Sequence, residues 1–358
     1  MNYKKWILFF FTNIIFVMLS IGAFNFFTDY DILYENPHSF YFKRIQRGVD
    51  ALNAGNSIID SSYHIRQGAL QRRLHLENKN PPIFALGTSR LLLLNSSHLQ
   101  TNNHFINLSI HGGGINGIIE MWQYFLNRNN PSLPIPQYAI IEFSPPSREE
   151  NIFVDETLFR AWSEKYLDRE IQQRSLERRR SFQTMRRAEL FSFSYLLQNL
   201  QFINRDNFFA IPNEMLVGKR TIQSDGSYTL HNHSPQDEKH FIDFGEMLTK
   251  DNQRYQAYRT LIKVLALDMQ SYGITPILLL TPYPPLTYDT SIERSDFLHI
   301  VEADILGFAT EHGVPVVGSF NPYRYNLDAS YFRDANHPTA EMWAILFENF
   351  TFGDTDAL

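Results

Sequence analysis

The 358-residue sequence contains no cysteine. A disulfide framework, a thiolate metal site and a cysteine nucleophile are therefore excluded. An excess of positive charge is also lacking, since 32 Lys and Arg stand against 38 Asp and Glu, giving a formal net charge of −6. This balance argues against a nucleic-acid-binding protein, which would carry a basic surface. The sequence shows no internal repeat, and its length allows one large domain or two small ones.

Charge is absent from the first long apolar run, residues 6–27. About 20 apolar residues suffice to cross the hydrocarbon core of a bilayer. Because Lys4 and Lys5 precede the run, we expect the N-terminus to be cytoplasmic and the main domain to be periplasmic or extracellular. A signal peptide cleaved near Ala23 is the alternative. The sequence thus predicts a transmembrane signal anchor over residues 1–28, and hence a single-pass membrane protein in contact with lipid.

The rest of the chain alternates between strand and helix patterns after a helical lead-in over residues 29–80. Apolar segments of strand length occur at 83–86, 105–108, 137–143, 275–282 and 314–318. This alternation predicts an α/β domain over residues 81–358, with a flavodoxin-like parallel sheet of about five strands and helices on both faces. A helical insertion is expected after the third strand, at about residues 148–250.

Two helices are predicted from the residues at their ends and from their apolar content. A helix is expected directly after the first strand, over residues 91–99, and another is expected to have Ser295 as its N-cap.

The insertion is rich in arginine, which fits either a solvated helix face with Glu/Arg pairs or a surface that approaches lipid headgroups or an anionic polymer. The arginines that stand out are Arg178, Arg179, Arg180, Arg186 and Arg187.

Three short polar motifs follow strands of the predicted sheet. Ser89 ends Leu-Gly-Thr-Ser after the first strand, Gly112 lies in a glycine run after the second, and Asp334 and His337 form Asp-x-x-His after the fifth. Each motif alone is also typical of an ordinary turn or helix N-terminus. Together they can supply a nucleophile, an oriented base and an oxyanion donor. Loops after parallel strands open on one edge, so we expect Ser89 and His337 to meet there.

Further residues near these motifs are candidates for lining the substrate site. They are Arg90, Asn107, Gly113, Ser144 and Tyr283. Arg90 follows the nucleophile and is expected near an anionic group. No metal and no cofactor are expected, because no set of side chains has convincing ligand spacing.

In its motifs Leu-Gly-Thr-Ser, Asn-Leu-Ser-Ile-His-Gly-Gly and Asp-Ala-Asn-His-Pro, the chain resembles the SGNH (GDSL-type) hydrolase superfamily. The resemblance covers roughly residues 80–145 and 252–350. Within the superfamily it is similar to membrane-anchored envelope members, namely the D-alanyl-transfer protein of the teichoic acid pathway and the alginate O-acetyltransferase group. It implies an acyltransferase or esterase with a Ser89–His337–Asp334 triad and an oxyanion held by the N–H groups of Ser89 and Gly112. It also implies an envelope polysaccharide or teichoic-type polymer as acceptor and a membrane-bound O-acyltransferase as partner.

One block departs from the superfamily pattern. The Gly-x-Asn that commonly follows the third strand is replaced here by Ile-Ile-Glu-Phe-Ser-Pro-Pro-Ser, so that Ser144 is the candidate replacement donor. Loss of one oxyanion donor costs about 10²–10³ in rate. A catalytically inert SGNH-like module that binds glycan or scaffolds a membrane complex is therefore the alternative function.

Overall fold

The fold is of the α/β class, as the sequence predicts, and is seen in a computed structural model. The structure describes residues 3–30, 32–59, 65–77, 81–100, 104–127, 135–145, 162, 164–166, 186–203, 220–230, 241–242 and 253–352. In this part of the chain a five-stranded parallel sheet carries helices on both faces, and one long apolar helix stands at the N-terminal end.

Strands are numbered in chain order. They are β1 (Ile58–Ile59), β2 (Ile83–Leu86), β3 (Phe105–Asn107), β4 (Tyr138–Phe143), β5 (Arg220–Ile222), β6 (Tyr228–Leu230), β7 (Thr275–Leu280) and β8 (Val316–Gly318). The main sheet has the order β3-β2-β4-β7-β8, and all its neighbours are parallel. This is the flavodoxin-like order, in which the chain passes from β2 to the edge strand β3 and then reverses direction across the sheet to β4. The crevice at that switch point lies beyond the carboxyl ends of β2 and β4.

The strands read as continuous apolar runs because helices or loops cover both faces of the sheet. Every residue of β2 is completely buried. β4 and β7 pair over six residues, from Tyr138 opposite Thr275 to Phe143 opposite Leu280. Burial of this extent makes the central strands a rigid base for the loops at their carboxyl ends.

Helices are also numbered in chain order. They are α1 (Tyr3–Thr28), α2 (Phe40–Asn53), α3 (Ile65–Glu77), α4 (Gly114–Leu126), α5 (Phe193–Ile203), α6 (Gln253–Ser271), α7 (Pro285–Ser295), α8 (Phe297–His312) and α9 (Ala340–Phe347). One core packs α4, α6 and α8 on the sheet around Trp122 and Leu265. A second core packs α9 on the sheet through Trp343 and Phe347.

A small antiparallel sheet is an element that the sequence patterns did not predict. It has the order β1-β5-β6, so the lead-in supplies one strand and the insertion supplies a hairpin. Strands of two or three residues are too short to show a period of two. The insertion is therefore not helical throughout its described part, although α5 belongs to it.

The helix predicted over residues 91–99 is absent. The chain forms turns after Ser89, followed by a short 3₁₀ helix, Ser96–Leu99. All four leucines at 91–94 are at most 4 % exposed, which one face of a surface helix cannot achieve. The side-chain amide of Asn107 donates to the carbonyls of Leu91 and Leu94. The backbone N–H of Tyr228 donates to the carbonyl of Leu92. Distant groups thus replace the helical hydrogen bonds.

Ser295 is not the N-cap of α8, contrary to the prediction. It is the last residue of α7, where its hydroxyl donates to the carbonyl of Ser291. Asp296 adopts a left-handed conformation and joins the two helices directly. The predicted end of α8 is confirmed, since Gly313 has a φ of 64° and its N–H binds the carbonyl of Ala309.

The N-terminal apolar run forms one helix, α1, which has the length and composition to span a membrane. Its middle is exposed, as expected of a helix whose neighbours are lipid. Arg178, Arg179 and Arg180 lie outside the described residues. Arg187 is exposed in a helical segment over residues 186–190.

Candidate active site

A hydrogen-bonded chain of three side chains lies at the carboxyl edge of the sheet. Ser89 Oγ is 2.8 Å from His337 Nε2. On the other side of the ring, His337 Nδ1 is 2.9 Å from Oδ1 and 2.8 Å from Oδ2 of Asp334. With Nδ1 protonated towards the carboxylate, Nε2 is left as the acceptor for the serine proton. The residues predicted as nucleophile, base and orienting carboxylate are thus brought together in the geometry expected of a triad.

The loop that carries Asp334 and His337 is held by its own backbone. Asp334 Oδ1 accepts the N–H groups of Asn336 and His337, each at 2.8 Å. The N–H of Arg333 binds the carbonyl of His337 at 2.8 Å. Partial burial raises the pKa of Asp334, but the hydrogen bond and charge of His337 and the two backbone N–H groups outweigh it. The pKa of Asp334 therefore lies well below its usual range, and the carboxylate stays ionised.

The nucleophile loop is fixed by a buried carboxylate at the end of β4. Glu142 Oε2 accepts the N–H of Thr88 at 2.7 Å and its hydroxyl at 3.0 Å. A Cβ at position 87 would lie 2.7 Å from Glu142 Oε2 and from a methyl of Leu91, so only glycine fits. Glu142 is not among the residues predicted from the sequence, where the available signal is one acidic residue inside an otherwise apolar strand.

Two backbone N–H groups are available for an oxyanion. The N–H of Arg90 donates to the Thr88 hydroxyl, and that of Gly113 donates to the carbonyl of Ile110. Within the described part of the chain, the N–H groups of Ser89 and Gly112 have no acceptor. The two loops run side by side, because the N–H of Ile110 binds the carbonyl of Gly87 at 3.0 Å. Gly112 has a φ of 70°, a left-handed conformation that favours glycine.

Arg90, which the sequence places near an anionic group, is instead buried, with 1 % of its surface exposed, and its hydrogen-bond partners are carbonyls and a hydroxyl. Its guanidinium donates at 3.0 Å to the carbonyl of Asn336, at 3.0 Å to the hydroxyl of Ser144, and at 3.0 and 2.6 Å to the carbonyls of Thr281 and Pro282. It thus joins the loops that follow β2, β4 and β7 to the loop that carries His337. Arg90 is a positioning residue in this arrangement.

Ser144 and Tyr283 lie beside this guanidinium. The guanidinium carbon of Arg90 is 4.0 Å from the centre of the Tyr283 ring, and the Tyr283 hydroxyl is 3.3 Å from Ser144 Oγ. Burial raises the pKa of Tyr283, which keeps its phenol protonated and able to donate to Ser144. Ser144 Oγ accepts from the Arg90 guanidinium, and either hydroxyl can be the donor in its contact with Tyr283.

The remaining candidates for lining the site have structural roles. Asn107 is completely buried, and its side chain binds the backbone of Leu91, Leu94 and Ser109. The Asn107 side chain therefore holds the backbone of the loop after Ser89 in the protein interior and does not face a substrate. Gly113 is the N-cap of α4, and a Cβ there would lie 2.8 Å from the side chain of Ile110.

The described residues contain no group of three His, Cys, Asp or Glu side chains that could hold a metal ion. What the arrangement can do chemically is let His337 accept the proton of the Ser89 hydroxyl, which would activate this hydroxyl as a nucleophile. No protein-family model matches this chain, and no curated protein is significantly similar to it.

Proposed function

We propose that this protein is a membrane-anchored serine acyltransferase or esterase that transfers or removes an acyl group on a cell-envelope polymer. Ser89 is the nucleophile, His337 the general base, and Asp334 the carboxylate that orients the base. The observation that carries the proposal is the continuous chain of hydrogen bonds from Ser89 through His337 to Asp334. A serine hydroxyl is a weak nucleophile until a positioned base removes its proton, and this chain supplies such a base.

In the first half-reaction, Ser89 Oγ forms a bond to the carbonyl carbon of an ester or thioester while its proton moves to His337 Nε2. The carbonyl electron pair moves onto oxygen, and the N–H groups of Ser89 and Gly112 bind the resulting oxyanion. When this intermediate collapses, the bond to the alcohol or thiol breaks. The leaving group takes the proton from His337, and an acyl-serine remains.

In the second half-reaction, His337 takes a proton from the acceptor hydroxyl, which attacks the acyl carbon. The bond to Ser89 Oγ then breaks, and Ser89 regains its proton from His337. A sugar or polyol hydroxyl as acceptor gives acyl transfer, and water gives hydrolysis. The same residues serve both outcomes, so the acceptor decides between transferase and esterase.

The location and partners in this proposal come from the N-terminal helix and from the resemblance to envelope acyltransferases. Lys4 and Lys5 before α1 favour a domain on the outer side of the membrane. There the acceptor is an envelope polysaccharide or teichoic-type polymer, and a membrane-bound O-acyltransferase delivers the acyl group. This assignment of partners is an analogy with the family.

A serine-reactive fluorophosphonate tests the catalytic part of the proposal. The wild-type protein should be labelled through displacement of fluoride by Ser89 Oγ. We expect Ser89→Ala and His337→Ala each to lose nearly all labelling, and the double variant to be no worse, because the residues act as a unit. Ser194→Ala, which changes an exposed serine, is the matched control and should label normally.

The alternative function is a catalytically inert module that binds glycan or scaffolds a membrane complex. The replacement of Gly-x-Asn by a segment containing Ser144 favours it. A folded wild-type protein that the fluorophosphonate does not label would reject the catalytic proposal and leave this alternative. Labelling that persists in Ser89→Ala would show that the reagent reacts at another residue.

A further inference from the structure

Helix α5 has the opposite polarity from a surface helix of a soluble domain. Its exposed side carries Phe193, Leu197 and Leu200, which are 62 %, 52 % and 47 % exposed and follow one another at helical spacing, and the polar residues Ser194 and Gln201 lie beside this stripe. Its buried side carries Tyr195 and Asn199. A helix in water normally buries its apolar stripe and exposes its polar residues. An arrangement with the apolar stripe outside indicates that something apolar covers it.

The buried polar side of α5 is bound to the end of α1. The Asn25 amide donates to the carbonyls of Glu189 and Leu190 at 3.2 and 3.1 Å, and the Asn199 amide donates to Asn25 Oδ1 at 3.1 Å. The Tyr195 hydroxyl donates to Asp29 Oδ1 at 3.1 Å. A Cβ on Gly22 would lie 2.7 Å from the ring of Phe191, so ring and helix are in direct contact. These contacts fix α5 against the last two turns of α1.

The length of α1 gives the depth of this contact in a bilayer. At about 1.5 Å per residue, the hydrocarbon core of about 30 Å takes up about 20 residues. Counted from the uncharged residue Trp6, the core then ends close to Asn25. Gly22 lies about one turn inside that limit, so the ring of Phe191 lies at the apolar edge of the bilayer. The exposed stripe of α5 begins two residues further along the chain.

We propose that the exposed stripe of α5, formed by Phe193, Leu197 and Leu200, is inserted into the lipid of the membrane interface. The stripe is continuous with the lipid-facing surface of α1, which it adjoins at the depth where the hydrocarbon core ends. The protein then meets the membrane at two places, a spanning helix and an interfacial helix. Two attachments hold the domain in one orientation relative to the bilayer, which a single flexible anchor would not do. The inference does not depend on the proposed catalytic function.

Site-directed fluorescence tests this proposal, and the lack of cysteine makes single labels simple to introduce. Full-length Leu197→Cys is labelled with bimane and reconstituted into phosphatidylcholine vesicles that contain spin-labelled phosphatidylcholine. Ile300→Cys is the matched control, because Ile300 is an exposed apolar residue of α8, 59 % exposed. We expect lipid quenching to be several-fold stronger at position 197 than at position 300. Iodide, a quencher dissolved in the water, should quench the label at position 300 more strongly than the label at position 197.

The depth of quenching and a short scan make the test specific. Labels at Phe193 and Leu200 should behave like the label at Leu197. A spin label near the headgroup should quench more than one at the chain end, because interfacial helices bury their apolar face by only about 5–10 Å. Circular dichroism checks that each labelled protein is folded. Equal iodide quenching at positions 197 and 300, without lipid quenching, would overturn the proposal. Disulfide crosslinking between copies at position 197, without lipid quenching, would overturn it too and assign the face to a second copy.

Discussion

Removal of the buried guanidinium of Arg90 should weaken both the fold and the reactivity of Ser89. Arg90→Met keeps most of the side-chain length but removes every donor. The carbonyls of Asn336, Thr281 and Pro282 then lose their partner in the interior. Each unsatisfied buried polar group costs about 1–3 kcal/mol. The variant no longer has to bury a charged guanidinium, and this offsets part of the summed cost. We expect the free energy of unfolding to fall by about 2–4 kcal/mol.

The effect on reactivity follows from the bond to Asn336, the residue before the base. Without that bond the loop can move, and the 2.8 Å contact between Ser89 and His337 is no longer fixed. We expect the rate of fluorophosphonate labelling to fall even at temperatures where Arg90→Met is fully folded. Arg90→Lys should recover part of both losses, because an ammonium can reach only some of the four acceptors.

Urea unfolding in detergent micelles measures the first effect, and labelling kinetics measure the second. Arg187→Met, which changes an exposed arginine, is the control and should change neither quantity measurably. If Arg90→Met unfolds at the wild-type urea concentration and labels at the wild-type rate, the role given to this guanidinium is wrong. If stability falls but the labelling rate is kept, Arg90 supports the fold without positioning the base.

Two further predictions concern neighbours of the triad. Asp334→Asn should destabilise the protein at neutral pH, because the depressed pKa of Asp334 contributes stability above the unfolded pKa of about 3.9. In urea unfolding, the difference in unfolding free energy between the variant and the wild type should shrink as the pH falls below about 4. A difference that stays constant with pH would contradict this prediction. Ser144→Ala should slow fluorophosphonate labelling by up to about 10²-fold, because it removes the candidate hydroxyl donor that stands where the SGNH pattern has an asparagine. Tyr283→Phe, which keeps the hydroxyl of Ser144, should be labelled faster than Ser144→Ala. Equal labelling rates in Ser144→Ala and the wild type would show that Ser144 has no part in the reaction.

The main sheet could be predicted from sequence because its strands are buried on both faces and so appear as apolar runs separated by helices. The convergence of Ser89 and His337 followed from that topology, since loops after parallel strands share an edge. The structure brings the two side chains within hydrogen-bond distance. Both inferences used only periodicity and chain order.

Features that depend on distant partners could not be predicted. The leucines at 91–94 look helical from local sequence, but the amide of Asn107 takes two of their carbonyls. Arg90 looks like an exposed cation, but acceptors more than 50 residues away surround it. The β5–β6 hairpin is too short for its pattern to be recognised. In each case the deciding interaction is between residues far apart in the chain.

The β5–β6 hairpin has a consequence for the order in which the protein folds. Ser57 pairs with Gln223, 166 residues later, and the turn at Asp225 binds the N–H groups of Asn107 and Ser96. The loop of the nucleophile therefore lacks these partners until the ribosome has released about 230 residues. Because contacts of such long range form slowly, the loop should be among the late parts of the domain to become ordered. A nascent chain that stops before the hairpin would display its run of leucines to water and would require chaperone protection.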